Sequence, residues 1–157
     1  MQTGVSNPPK GYHSVTPYMI VRGGVAALDF YAKAFGAEEM VRLPGPDGKL
    51  MHACTRINGF PVFLNDDFPE FNEGKSTTPT ALGGTAVTIH LHGPDVEGRF
   101  QRALDAGATV VNPLEDQFWG DRYGVVRDPF GHQWSLAESV REVDVSEIAA
   151  TMSSSDS

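Results

Sequence analysis

The sequence predicts an α+β fold made of two tandem copies of a βαβββ module. Each half of the chain has one helix-like segment that follows a strand-like run and precedes further strand-like runs. The two halves overlay when Gly36-Ala37 is placed on Gly107-Ala108. A polar stretch rich in glycine, proline, serine and threonine, residues 66–84, separates them and predicts a linker. An internal duplication accounts for all three observations.

The first module, residues 12–65, follows a loose and flexible N-terminal arm at residues 1–11. Residues 12–21 have strand composition, and Pro17 indicates an edge strand or a bulge. A helix is predicted from Val25 onward, because apolar residues recur there at three- and four-residue spacing. Three more strands are predicted at 39–43, 50–57 and 60–66, with turns at Asp47-Gly48 and Asn58-Gly59.

The second module, residues 85–140, repeats this order and ends in a β-hairpin. The hairpin turn, Asp128–Gly131, has Asp first, Pro second and Gly fourth, which suits a type I turn. The C-terminal tail, residues 141–157, is expected to be partly disordered. The predicted elements are a strand at 85–93, a helix at 94–108, a strand at 109–118, hairpin strands at 123–126 and 133–137, and a short helix at 146–152.

Composition excludes several classes of partner. The formal net charge is −8, so the basic patch that nucleic acids or anionic membranes require is not expected. The single cysteine, Cys54, excludes an internal disulfide and a multi-thiolate zinc site. No apolar run approaches membrane-spanning length, and the first residues lack a signal-peptide core. We therefore expect a cytoplasmic protein without nucleic-acid or membrane partners.

Several phrases of the sequence resemble one known family. They are Phe30-Tyr31 followed by Phe35-Gly36-Ala37, and the run GDRYGVVRDPFGHQWSL. Over residues 12–140 the chain is similar to the vicinal oxygen chelate superfamily, which includes glyoxalases, bleomycin resistance proteins and dioxygenases. The phrases TPYMIV, MHAC and PLEDQFWGDRYG resemble its PhnB-like branch. The resemblance implies a single domain whose modules form a curved mixed sheet around a cavity, commonly in a homodimer.

In metal-dependent members of this superfamily, histidine, glutamate or glutamine ligands project into the cavity from four strands. The resemblance places these positions at Thr16, Cys54, Thr88 and Ser135. No imidazole or carboxylate stands at any of them, and neutral hydroxyls bind divalent ions far more weakly. The expected cofactor is therefore none, with a divalent metal ion as the alternative.

The alternative is a displaced metal site. Side chains alternate along a strand, so His90 and His92 share a face with Thr88, and His52 shares one with Cys54. A metal site built on His52 and His90, with Cys54 or Gln133, is then conceivable. The competing interpretation is that these are polar cavity residues that bond to one another or to a ligand. The sequence leaves both open.

Other polar residues are given structural roles. Asp66-Asp67 is interpreted as a solvated charge run, and Asp121-Arg122 as an exposed ion pair or a loop-closing contact. His13 is expected to face solvent. Cys54 is expected to be a small core residue rather than a nucleophile.

The leading hypothesis is a metal-independent small-molecule-binding protein of the PhnB-like type, with a partly aromatic or cationic ligand. The rivals are a metal-dependent glyoxalase-like lyase or dioxygenase that uses displaced histidines, and a protein that sequesters a drug or toxin. Whether the protein is an enzyme is open at this point. The predicted ligand-binding residues are Thr16, Tyr18, His52, Cys54, Thr88, His90, Phe118, Trp119, Gln133 and Ser135.

Overall fold

A computed structural model describes residues 4–155 of the 157-residue chain. Its helices and strands fall into two compact units, one that ends at Thr85 and one that begins at Ala86. The ends of the predicted N-terminal arm and C-terminal tail, residues 1–3 and 156–157, lie outside the described residues.

Unit 1 is a βαβββ module with an open four-stranded sheet. The strands lie in the order β1-β4-β3-β2. The first strand is parallel to β4, and the other neighbours are antiparallel. Its elements are β1 (Tyr18–Val21), α1 (Gly24–Phe35), β2 (Glu38–Pro44), β3 (Leu50–Ile57), β4 (Phe60–Asp66) and the short helix α2 (Pro79–Leu82).

Unit 2 repeats this topology and adds a C-terminal helix. Its sheet has the order β5-β8-β7-β6, again with one parallel pair, β5 with β8. The predicted α+β class and the two tandem βαβββ modules are therefore confirmed, and each module has its own open mixed sheet. The elements of unit 2 are β5 (Thr88–His92), α3 (Val96–Ala106), β6 (Thr109–Asp116), β7 (Asp121–Arg127), β8 (Gln133–Ser139) and α4 (Val145–Ser154).

The glycines used to overlay the two halves end equivalent helices. Gly36 follows α1 with φ of 67°, and Gly107 follows α3 with φ of 123°. Glycine adopts these values without the steric cost of a Cβ, which is why it commonly terminates helices. Both helices bury one apolar stripe against their sheets, including Ala27, Tyr31 and Phe100. The Gly-Ala pairs that align the two halves of the sequence therefore mark the C-terminal ends of equivalent helices.

The predicted first strand is too long. Strand β1 begins only at Tyr18, because Pro17 has no N–H to continue the ladder. The carbonyl of Pro17 still accepts a hydrogen bond from the Phe63 amide at 2.9 Å. Upstream of it, the Tyr12 ring lies against the Phe63 ring with centroids 5.9 Å apart.

The interpretation of Asp66 and Asp67 as solvated charges is wrong, because both are buried, at 4% and 7% exposure. Helix α1 begins after Gly23, which has no side chain to cap the helix, so its first N–H groups need another acceptor. Asp66 Oδ1 accepts from the Gly23 and Gly24 amides at 2.8 and 3.0 Å. Its Oδ2 accepts from the Leu50 amide at 2.8 Å. One carboxylate therefore ties the helix start, β3 and β4 together.

A carboxylate from the last strand of unit 2 serves the same purpose. Glu138 Oε2 accepts a hydrogen bond from the Val96 amide, at the first residue of α3, at 3.0 Å. Glu138 therefore lies on the helix side of its sheet, opposite to Ser135, as the alternation of side chains predicts. In both units, a carboxylate from the last strand of the sheet thus accepts hydrogen bonds from backbone amides at the start of the helix.

The predicted ion pair between Asp121 and Arg122 is also wrong. The two residues are neighbours on β7, so their side chains point to opposite faces. Arg122 instead binds Asp116 and Glu97, each at 2.6 Å, on the helix side. The Asp121 side chain therefore lies on the opposite face of the sheet, away from α3.

Across residues 4–155, no helix has both the length and the apolar character needed to cross a membrane.

We expect Asp66→Asn to lower the free energy of unfolding by about 2 kcal/mol. The amide Nδ2 would replace one acceptor oxygen and leave a buried backbone N–H without a partner. Urea denaturation followed by circular dichroism measures the change. Glu70→Gln, an exposed acid in the following segment, is the matched control and should change stability by less than about 0.5 kcal/mol. Equal stability of the two variants would contradict the structural role of Asp66.

Candidate functional site

In unit 1, an aromatic cluster occupies the face of the sheet that points away from α1. The Tyr18 hydroxyl and His52 Nδ1 lie 3.3 Å apart, and their rings stack with centroids at 5.8 Å. The Phe63 ring meets both at steep angles, with centroids 5.0 Å from His52 and 5.7 Å from Tyr18. The pairing of β1, β4 and β3 brings these three side chains together, because β4 lies between the other two strands. The cluster offers flat apolar surface and two polar side chains.

An open groove of about 600 Å³ borders this cluster. The segment before β1 forms its other wall, and there the His13 ring stacks on the Phe60 ring with centroids 4.8 Å apart. His13 is exposed, but it lines the groove together with Thr16 instead of facing away from it, because these residues are not in a strand. The groove is lined by Pro9, Tyr12, His13, Ser14, Thr16, His52 and Phe63.

The thiol of Cys54 lies beneath this surface. Cys54 is 1% exposed. Burial raises the pKa of the thiol, and a hydrogen bond with Tyr12 and the charge of Arg56 act in the opposite direction. The protonated thiol is therefore favoured, and neither a nucleophile nor a metal ligand is expected of it.

In unit 2, a chain of hydrogen bonds crosses the face of the sheet opposite to α3. His90 and Ser135 are register partners on the parallel strands β5 and β8. His90 Nδ1 lies 2.7 Å from Ser135 Oγ, and His90 Nε2 lies 3.3 Å from His92 Nδ1. Ser135 is only 3% exposed, whereas both histidines are exposed.

The chain continues to a carboxylate on β7. His92 Nε2 lies 3.0 Å from Ser139 Oγ, and the Ser139 hydroxyl donates to Asp121 Oδ1 at 2.9 Å. Ser139 and Asp121 are register partners on the antiparallel strands β8 and β7. The other carboxylate oxygen, Oδ2, accepts from Trp119 Nε1 at 3.1 Å. Five polar side chains and one indole are thus linked without a break.

The environment of His90 favours its neutral form. Partial burial and the neighbouring His92 lower the pKa of His90 below 6.5, and the charge of Asp121 opposes this only in part. The Tyr123 ring stacks beside His90 with centroids 6.2 Å apart. At neutral pH the ring therefore keeps one lone pair for hydrogen bonding.

The remaining predicted ligand-binding residues lie around this chain. Gln133 Nε2 donates to Thr88 Oγ1 at 3.3 Å, across the same parallel pair of strands. Phe118 and Trp119 form the turn between β6 and β7, with ring centroids 5.1 Å apart. Trp119 reaches Tyr123 at 5.8 Å, and Phe118 is 39% exposed. The role of these residues in ligand binding stays a prediction.

Unit 1 holds four of the predicted residues, Thr16, Tyr18, His52 and Cys54, and unit 2 holds the other six. Sequence reasoning placed His92 on the correct face but gave it no role, and it missed Ser139 and Asp121. The signal was present in the hairpin: counting outward from the turn, with Arg127 opposite Gln133, pairs Asp121 with Ser139. Alternation along β5 then adds His92.

The four superfamily metal positions do not suit a divalent ion here. The Ser135 hydroxyl is bonded to His90, and Thr88 accepts from Gln133. Thr16 offers a neutral hydroxyl 3.5 Å from the His13 carbonyl, and Cys54 a buried, protonated thiol. Within residues 4–155, no group of three His, Cys, Asp or Glu side chains is arranged to hold a metal ion.

Two solved structures have a similar fold. A gene product of Arabidopsis thaliana, At5g48480, matches with a TM-score of 0.65 and 28% identity over 81% of this chain and 99% of that chain. The PhnB protein of Bacillus cereus matches with a TM-score of 0.60 and 18% identity over 80% of this chain and 99% of that chain. The second match concerns the fold alone.

Comparison of the sequence with known proteins identifies the family. The Mycobacterium tuberculosis protein Rv0887c is 64% identical over 141 residues, which cover 90% of this chain and 83% of that protein. The model of one superfamily matches residues 13–136, which include both βαβββ modules up to the middle of β8. The chain therefore belongs to the glyoxalase/bleomycin resistance protein/dioxygenase superfamily.

Proposed function

We propose that this protein is a metal-independent small-molecule-binding protein of the PhnB-like type. The observation that supports this most directly is the open groove of about 600 Å³ beside the aromatic cluster of unit 1. Small-ligand sites are typically concave and mostly apolar, with a few polar groups that fix the orientation of the ligand. The groove combines the aromatic rings of Tyr12 and Phe63 with two imidazoles and three hydroxyls, so it offers both apolar surface and groups that can orient a ligand.

The groove favours a flat, at least partly aromatic ligand. The Tyr18 and His52 rings stack with centroids 5.8 Å apart, and the Phe63 ring meets both at steep angles. A planar ring of the ligand would add one more aromatic contact to this cluster. The exposed ring of His13 supplies a second stacking surface on the opposite wall. A sugar phosphate would find no arginine or lysine among the lining residues. Sequestration of a toxic aromatic compound is one use of such a site.

The rival metal-dependent lyase or dioxygenase has less support from the donor atoms. Both ring nitrogens of His90 have hydrogen-bond partners, so metal binding there would break the contact with Ser135 or with His92. His52 Nδ1 likewise faces the Tyr18 hydroxyl. The Tyr18 and Ser135 hydroxyls thus engage imidazole nitrogens that a displaced metal site would need.

We expect isothermal titration to detect binding of a naphthalene probe with a Kd below ~1 mM. The three probes are 1-naphthylmethylamine, naphthalene-1-methanol and 1-naphthoic acid, which differ chiefly in charge. Phe63→Leu should weaken the binding of the preferred probe about fivefold, because an aromatic contact is worth roughly 1 kcal/mol. Phe71→Leu changes an exposed phenylalanine outside the groove and should leave the affinity unchanged.

Unfolding curves of both variants separate lost contacts from lost structure. If none of the three probes binds, or if both variants bind as wild type does, the groove is not the ligand site.

Metal independence is tested by elemental analysis of protein purified without chelator. We expect well under one equivalent of metal, both as purified and after incubation with nickel, zinc, iron or manganese followed by desalting, because the donors are neutral hydroxyls and a buried thiol. The matched variant is His52→Gln/His90→Gln, with His13→Gln as a histidine control. One tightly held equivalent in wild type that is lost in the double variant would refute the proposal and support the lyase or dioxygenase.

A further inference from the structure

We propose that Ser135, His90, His92, Ser139 and Asp121 form a directional proton relay in which Ser135 acts as a general base on a planar carbon acid. This inference goes beyond ligand binding, because it assigns a reaction to the open face of the unit 2 sheet. It rests on the unbroken hydrogen-bond chain and on the direction in which each bond of that chain must point. The five residues are called the relay below.

The direction of the relay is set from its carboxylate end. A carboxylate only accepts hydrogen bonds, so Asp121 receives the Ser139 hydroxyl proton at 2.9 Å and the Trp119 indole proton at 3.1 Å. Ser139 has a single hydroxyl proton, and it is used on Asp121. At its 3.0 Å contact with His92 Nε2, Ser139 must therefore accept, which makes His92 the Nε2–H tautomer.

For neutral imidazoles, the same counting fixes the other half of the relay. A neutral imidazole with its proton on Nε2 has a lone pair on Nδ1, so His92 Nδ1 accepts from His90 Nε2–H at 3.3 Å. His90 Nδ1 then carries a lone pair as well, and it accepts the Ser135 hydroxyl proton at 2.7 Å. Every bond points from Ser135 toward Asp121, so the relay draws a proton away from Ser135.

The proton balance of the proposed step is complete. As Ser135 Oγ takes a proton from a substrate C–H, it passes its own proton to His90 Nδ1. His90 passes its Nε2 proton to His92 Nδ1, so the positive charge comes to rest on His92, one hydroxyl away from the Asp121 carboxylate. The electron pair of the broken C–H bond stays on the substrate. No metal, oxidant or other co-reactant is needed.

The surroundings suit this step and this class of substrate. Ser135 is 3% exposed and is thus shielded from bulk water, whereas the two histidines are exposed and can exchange the proton with solvent. The Tyr123 ring beside His90 and the Trp119 ring beyond it offer flat surfaces next to the relay. A planar carbon acid, in which a carbonyl, a nitro group or a C=N bond activates the C–H, fits both features.

The first test measures the tautomers directly and needs no substrate. Long-range ¹H–¹⁵N correlation spectra of the full-length protein should show both His90 and His92 as neutral Nε2–H tautomers at pH 7.5. In Ser139→Ala, His92 should lose this fixed tautomer and show averaged ¹⁵N shifts, whereas Ser139→Thr should restore it. An Nδ1–H tautomer of either histidine in wild type would overturn the relay.

The second test uses 5-nitrobenzisoxazole, a planar aromatic carbon acid. Removal of its C3 proton forms a nitrile and breaks the N–O bond, and the released phenolate is coloured. Wild-type protein should convert it with a kcat/KM at least about 100-fold above that of Ser135→Ala or His90→Gln. Asp121→Asn should lose activity through tautomer disorder, and the matched exposed-acid variant Asp105→Asn on α3 should not. Equal rates for wild type and Ser135→Ala would overturn the proposal.

The pH profile distinguishes the relay from a structural effect. The groups that face His90 are His92, Asp121 and the Tyr123 ring, and its pKa lies below 6.5, so the neutral base is present above that pKa and is lost as the pH falls through it. The wild-type rate should therefore rise with pH through a midpoint below pH 6.5 and then level off. Because Asp121 raises the pKa of His90, any remaining activity of Asp121→Asn should level off at a lower pH. A rate that still climbs steadily above pH 8 would show catalysis by hydroxide instead and would contradict the relay.

A nucleophilic role for Ser135 would leave a covalent trace. If p-nitrophenyl acetate acetylates Ser135, as judged by peptide mass spectrometry, the residue is a nucleophile and its assignment as a base is wrong. Because the naphthalene titrations measure binding alone, failure of the relay and failure of the groove are told apart.

Discussion

The carboxylate of Asp128 sets the register of the β7–β8 hairpin, and the polar face of unit 2 depends on that register. Asp128 is 4% exposed and accepts backbone hydrogen bonds from Phe130 and His132 at 2.9 and 3.0 Å. Its second oxygen accepts from the buried Trp134 indole at 2.9 Å. A shift of one residue would turn every side chain of the hairpin to the opposite face, so this turn and its buried anchor decide which residues can meet.

The strand register brings polar side chains from distant parts of the chain into one hydrogen-bonded chain. Ser135 meets His90 across a parallel pair, and Asp121 meets Ser139 across an antiparallel pair, because each is the direct partner of the other. His92 closes the gap between them because it lies two residues along β5 from His90. The superfamily positions in unit 2 thus carry hydroxyls that bind imidazoles and amides. In unit 2 a hydrogen-bonded chain therefore includes Ser135, one of the positions that the superfamily resemblance assigns to metal ligands.

Local patterns in the sequence were sufficient for the elements but not for the buried acids. The helix stops at Gly36 and Gly107, the tight Asn58-Gly59 turn and the Asp128 turn all follow from backbone preferences of single residues. Asp66 appeared to be a surface charge because its three amide partners come from segments 16 to 43 residues away in the chain. No local pattern reveals an acceptor that a distant helix start requires.

The sequence by itself determined the duplicated βαβββ topology, the superfamily, and the absence of imidazole and carboxylate at Thr16, Thr88 and Ser135. The topology depends on periods of two and 3.6 residues, which are local properties, whereas the superfamily and these three positions come from the resemblance of short sequence phrases. Only the tertiary structure decided that Asp121 and Ser139 complete a chain with the histidines, and that the segment before β1 folds beside Phe63 to form a groove. Both require strand pairing and packing between distant segments, whose geometry no single stretch of sequence contains.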